Sequence, residues 1–313
     1  MNFLSASEPF AVSALIILLG YTLKKLKILN ENDGKALAKV ALNITLPAIT
    51  LINIPKAVIT PENLILPLTG LPVTVAVTLI AAYIFRKKDP AVKGLLIIAS
   101  SGFNIGLFAI PIISGVYGEA GVTGFALFDI GNAFAMFGFL WYLAGRFSPL
   151  ENIENSGRGI NNIFRMLVTS IPFMAYIAGL CMNFAGFQFS GFFLDVLKVP
   201  AAMNRGTSLL VLGILLNIKT NRETLSRILP PLAIRYSAGI ILALFFLYAF
   251  KGLTAETRIL LAAAVVMPPP LSLIPFSVKW GYSEKDAAAI VNTGIPVSFI
   301  LFWGIILLSG TSG

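Results

Sequence analysis

The chain predicts an all-α membrane protein of ten transmembrane helices arranged as two inverted five-helix repeats. Three observations lead there: its composition, its ten apolar runs of spanning length, and one polar stretch that divides them five and five. Of 313 residues 57% are hydrophobic and 12% charged, where a soluble domain carries roughly 25% charged residues. The mean hydropathy is +0.87. Too little polar surface remains to cover such a chain in water, so lipid is the expected solvent and a partner along its whole flank.

Runs of roughly 20 apolar residues, the length that crosses a bilayer as a helix, fall in two groups. The first five lie near 9–28, 36–54, 64–85, 94–117 and 121–145, and the second five near 164–184, 192–217, 225–250, 258–278 and 285–308. No basic residue precedes the first run and no small-residue cleavage site follows it, so it reads as a span and not as a signal peptide. Asp195, Lys198, Asn204 and Arg205 interrupt the seventh run, which predicts an amphipathic approach to a short helix. Residues 1–146 form the expected first repeat, 147–162 a cytoplasmic linker and 163–313 the second repeat. Five spans is an odd number, so the second repeat enters from the opposite side and is inverted.

The formal charge of +9 has a topological explanation. Loops after odd-numbered spans hold about three quarters of the 23 basic residues, among them Lys24, Lys25, Arg86, Lys87, Lys88, Arg222 and Arg227. Those loops are expected in the cytoplasm, with both termini outside it and the chain in the plasma membrane. The charge therefore calls for no nucleic-acid partner. The single cysteine, Cys181, allows no intrachain disulfide and reads as inert packing.

The fourth and ninth runs carry the functional argument. In GLLIIASSGFNIGLFAIPIISGVYG, Pro111 cannot donate to the carbonyl of Leu107, and Gly102, Gly106 and Gly115 surround it, so a break near mid-membrane is expected at the proline. In the ninth run Pro268, Pro269 and Pro270 strip donors from Ala264, Val265 and Val266, and Pro275 frees the carbonyl of Leu271. A single intramembrane proline commonly does no more than kink a helix. Breaks at corresponding places in two halves point instead to a transporter binding site, since irregular backbone persists only where it lines a cavity or is buried in protein. The half-helix that follows a break offers free N–H groups to an anion.

Other polar residues fall within spans. Asp129 lies about 12 Å into the fifth helix at 1.5 Å per residue, with Asn132 on the same face. It reads equally as a proton or cation coupling site and as a structural acceptor for the crossover backbone. Arg235 follows Pro230 and Pro231 and is expected to snorkel to the interface, or else to attract an anion toward the cytoplasmic opening. Asn43 and Thr45, before Pro47, read as packing groups at the margin of a site.

From Ala99 to Asn132 the run ASSGFNIGLFAIPIISGVYGEAGVTGFALFDIGN resembles the auxin efflux carrier family, with Asn104, Gly106, Pro111, Tyr117-Gly118, Asp129 and Asn132 as its core. MPPP followed by Trp280-Gly281-Tyr282 and a last helix containing Ser298 is similar in the second half. The resemblance implies ten helices with the fourth and ninth crossing at their breaks beside the substrate. It also implies that Asn104 donates its amide to a carboxylate and that Pro111, Pro268, Pro269 and Pro270 shape the site; Gly106, Ala109 and Ser272, at the same two breaks, complete the candidate substrate-binding residues. The chain departs from the family pattern in having Ala109 where a glycine is usual and no asparagine at the second break. The function expected is alternating-access export of small organic anions, carboxylates or auxin-like acids, energised by a coupled proton or sodium or by the membrane potential alone, and analogy with inverted-repeat carriers adds a homodimer as a possible assembly.

No cofactor or metal is expected. With no histidine in the chain, His-based triads and His-ligated zinc are excluded, and an enzyme is not expected. Two alternatives remain at this level: a sodium-coupled organic anion symporter of the bile-acid type, whose asparagine and glutamate cation ligands are not found around the second break, and a non-transporting membrane sensor on the same scaffold.

Overall fold

A computed structural model describes residues 3–150, 160–217 and 221–310, so most of the expected linker lies outside the described residues. Every regular element in these residues is helical. The helices are α1 (Phe3–Lys25), α2 (Glu31–Lys56), α3 (Ile65–Ile84), α4 (Pro90–Ala99), α5 (Ile105–Val116) and α6 (Gly118–Arg146). After the linker come α7 (Ile160–Thr169), α8 (Ile171–Phe184), α9 (Gly191–Leu215), α10 (Arg222–Ala249), α11 (Ala255–Ala264), α12 (Leu273–Lys279) and α13 (Glu284–Gly310). Six of these, α1, α2, α3, α6, α10 and α13, are long and apolar enough to cross a membrane, and the pair α7–α8 makes a seventh if counted as one bent span. The protein is an integral, multi-pass membrane protein.

Local chemistry sets the helix ends. Asn30 caps α2 by accepting from the backbone of Asn32 and Asp33, while Asp33 accepts from the Asn30 N–H in return. Pro47 inside α2 lacks the N–H its ladder needs, and the chain widens into a π-helical turn at Ala41–Thr45 rather than breaking. At the far end of α2 the side-chain amide of Asn183 donates to the carbonyls of Ile54 (2.9 Å), Pro55 (3.1 Å) and Ala57 (2.7 Å), at a terminus where the helix's own donors run out.

The seventh run differs from its expected form. It is one continuous 25-residue helix, α9, which keeps Pro200 inside. The polar residues that argued for an interruption find partners sideways: Asn204 is buried and donates its amide to the Thr45 hydroxyl at 3.0 Å, and Arg205 donates through Nη2 to the carbonyl of Pro9 at 3.2 Å, while Asn204 Oδ1 and Arg205 Nε stay unpartnered. Asp195 and Lys198 pair with each other at 3.0 Å on the exposed face. The sixth run differs in the other direction, for it bends by 75° between α7 and α8.

Glycines let the long helices approach closely. A Cβ at Gly213 of α9 would sit 2.0 Å from the carbonyl oxygen of Ile17 in α1, and one at Gly131 of α6 would sit 2.0 Å from that of Pro67 in α3. In lipid no hydrophobic effect draws helices together, so this close packing is what holds them. Gly131→Ala should therefore destabilise the protein by about 1–3 kcal/mol through overpacking, read as a fall in the melting midpoint in detergent. Gly206→Ala, where the added methyl meets nothing within 4 Å, should leave that midpoint unchanged or slightly raised.

Candidate functional site

The fourth span parts into α4 and α5 at residues 100–104. Gly102 adopts φ +73°, the left-handed conformation that ends a helix and that glycine takes without penalty. The break thus precedes Pro111, contrary to the expectation that it falls at the proline. Pro111 lies in the α-helical part of α5, and a π-helical turn at Ile105–Ala109 absorbs its missing donor. The ninth span parts between α11 and α12 at residues 265–272, around Pro268, Pro269 and Pro270 as the sequence predicts.

The two breaks touch. The backbone N–H of Asn104 donates to the carbonyl of Pro268 at 2.9 Å, joining them directly. Asn132 clamps the first break from α6: its Oδ1 accepts from the Phe103 N–H at 3.1 Å, and its Nδ2 donates to the Phe103 carbonyl at 2.9 Å and to Asp129 Oδ1 at 2.7 Å. The other carboxylate oxygen of Asp129 accepts from the Tyr176 hydroxyl of α8 at 2.8 Å.

Arg235 of α10 does not snorkel. It is 2% exposed, and its guanidinium turns inward to backbone carbonyls of both breaks. Nε and Nη2 donate to Ala99 at 3.2 Å each, Nη1 donates to Met267 at 3.1 Å, and Nη2 also donates to the carbonyl of Ser101. Those carbonyls have left their helical ladders, and the fork geometry of arginine suits several of them at once.

A cavity of about 400 Å³ opens beside the crossover, within the range of small-molecule sites. Leu46, Phe103, Met136, Phe137, Met166 and Phe173 give it apolar walls, and Asn43, Asn104, Asp129, Ser170, Tyr176 and Ser272 supply polar groups. The Nδ2 of Asn104 and the hydroxyl of Ser272 are buried without a partner, which a protein interior tolerates poorly unless a ligand or water completes them. Among the described residues, Asp129 and Tyr176 are the only ionisable side chains on its wall.

Of the candidate residues, Asn104, Gly106, Pro270, Ser272 and Asp129 line this cavity. Ala109, Pro111, Pro268, Pro269, Asn132 and Arg235 stand behind it and shape or brace its backbone. Reasoning from sequence missed the α7–α8 bend, which brings Thr169, Ser170, Pro172 and Tyr176 to the wall. A signal was present in Ser170-Ile171-Pro172, a capping hydroxyl followed by a proline in the first helical turn. On the opposite face Glu62 accepts from the Thr254 N–H at 2.6 Å, tying the loop before α3 to the one before α11.

The family described as membrane transport protein matches residues 6–306. The chain belongs to this family, that of the auxin efflux carriers and their PIN-like relatives. A transporter of Methanothermobacter thermautotrophicus with no characterised substrate is 24% identical, over 84% of this chain and 86% of its own length. Another such transporter, of Methanocaldococcus jannaschii, is 25% identical over 94% of this chain and 96% of its own.

The transporter's crossover depends on the Asn132 clamp. Asn132→Ala strands the buried N–H and carbonyl of Phe103 and should cost about 1–3 kcal/mol for each group left unpaired. A thermal melt in detergent should fall by several degrees on the scale of about 2–4 °C per kcal/mol, while a wild-type midpoint would show that the clamp does not hold the break.

Proposed function

We propose that the protein is a secondary carrier of small organic anions, carboxylates foremost, which bind in the crossover cavity. The observation that carries this reading is that Asn104 and Ser272, whose Nδ2 and hydroxyl are buried without a partner, both line a mostly apolar cavity of about 400 Å³. The first turn of α5 lies beside them, and its free N–H groups and the positive end of its helix dipole favour negative charge there.

Helix pairing supports two inverted repeats, 1–146 and 163–313, with ten spans in all. In order of spans, α1 packs on α9 and α2 on α8, first with seventh and second with sixth, the reciprocal exchange of two inverted copies. α3 on α6 and α10 on α13 repeat the pattern as third with fifth and eighth with tenth. The cavity draws on the α7–α8 bend just after the linker, and the opposite loops are tied through Glu62 and Thr254. In this reading that is the state open to the cytoplasm, with both termini outside and the plasma membrane as the site of action.

Asp129 supplies the coupling. An anion in the cavity would share it with this carboxylate, and like charges disfavour each other strongly away from water, so a proton binds at Asp129 as the anion binds. Among the described residues Tyr176 is the one titratable group hydrogen-bonded to it. A monoanion then moves without net charge, and the pH gradient and its own gradient set direction. A dianion keeps one negative charge, and an inside-negative 100 mV favours its export by about 2.3 kcal/mol.

Reconstituted vesicles test both parts. Saturable flux of mono- and dicarboxylates is expected, and Asn104→Ala should weaken apparent affinity about 10- to 100-fold, the loss of one hydrogen bond to a charged group. Flux of no acid, or an unaffected variant, would sink the site. Asp129→Asn should keep saturable flux but lose its response to an imposed pH gradient; a retained response would remove the proton from the reading.

A further inference from the structure

Two helices end at the crossover, α4 at Ala99 and α11 at Ala264, and Arg235 reaches the carbonyl of Ala99 at the first end and that of Met267 just beyond the second. Each end carries roughly half a negative charge, and beyond them the carbonyls of Ser101 and Met267 also point inward. In carriers with discontinuous helices, unwound carbonyls and half-helix C-termini are the groups that coordinate a coupling cation. Here the guanidinium of Arg235 already occupies them, with three carbonyl oxygens from the two breaks as its hydrogen-bond acceptors. The Phe103 ring lies over the guanidinium, with 5.6 Å from Cζ to the ring centroid. Among the described residues Arg235 makes no ion pair with a carboxylate, so the backbone is its counter-charge.

We propose that Arg235 is a resident cation, tethered covalently where a cation-coupled carrier of this layout would bind an exchangeable ion, and that deleting its side chain uncovers a latent monovalent-cation site. One positive charge matches two half-charges, so a second cation finds both its ligands and its electrostatic incentive taken. Arginine is suited to this place because its charge persists at any physiological pH and its planar donors reach carbonyls of two separate helices. A lysine ammonium, as a point charge with three donors, spans them less well.

Thermal melting of the purified protein tests this without any substrate, so failure of carboxylate transport would leave the result standing. In the wild type, exchanging sodium for N-methylglucamine should not move the midpoint. Arg235→Ala should melt lower, and about 10 mM methylguanidinium should raise its midpoint by about 2–4 °C by binding the folded state, with no rise in the wild type. Sodium should raise it less, and bulky N-methylglucamine should leave it unmoved. A variant that melts like the wild type, or that no small cation stabilises, overturns the proposal, as does a sodium-dependent wild-type midpoint. Should Arg235→Ala fail to accumulate, Arg235→Lys decides: a midpoint below the wild type and insensitive to sodium supports the tethered cation, and stabilisation by sodium overturns it.

Discussion

An interrupted helix inside a bilayer has to find partners for the backbone groups it releases, because the surrounding lipid offers none. Two such interruptions lie against each other here, and much of the surrounding structure follows from satisfying them. The Asn104 N–H finds the Pro268 carbonyl, Asn132 takes both backbone groups of Phe103, and Arg235 gathers the carbonyls of Ala99, Ser101 and Met267. Each partner comes from a different helix, so the crossover knits α6, α10 and the two broken spans into one unit.

The polarity of the breaks divides the work. Negative helix ends face Arg235, on the buried side, while the start of α5 faces the cavity with Asn104 and Ser272 still unpaired. A fixed cation on one side and open donors on the other give a site whose acceptors are used up and whose donors are free. In the function proposed above, that asymmetry favours a negatively charged guest and leaves little for an exchangeable metal cation. Asp129 sits at the boundary, bound by Asn132 and Tyr176 yet exposed to the cavity, so its charge state bears on any anion that enters.

The outer helices serve these requirements at a distance. Glycine contacts between α1 and α9 and between α3 and α6 bring backbones close enough to act as rigid struts. The breaks and the α7–α8 bend are where the chain departs from such struts, and all three meet at the cavity. The assignment to a family of membrane transport proteins fits a fold in which regular helices form a frame and irregular backbone is confined to one protected place.

By itself the sequence determined the solvent, the helical class, the family and the break at Pro268–Pro270, because composition, spanning length and a missing backbone donor act locally whatever the rest of the chain does. It also marked Asn104, Ser272 and Asp129 as candidates for a site. Tertiary structure alone decided where the first break falls, since a π-helical turn can absorb Pro111 and the left-handed Gly102 ends α4 earlier. It alone kept α9 continuous, since Asn204 and Arg205 find partners on α2 and α1. It alone turned Arg235 inward, because the carbonyls that compensate its buried charge come from residues more than 30 positions away in either direction along the chain. Proline and glycine declare a weakness in one helix, but what fills that weakness is set by which distant side chains the fold brings to it.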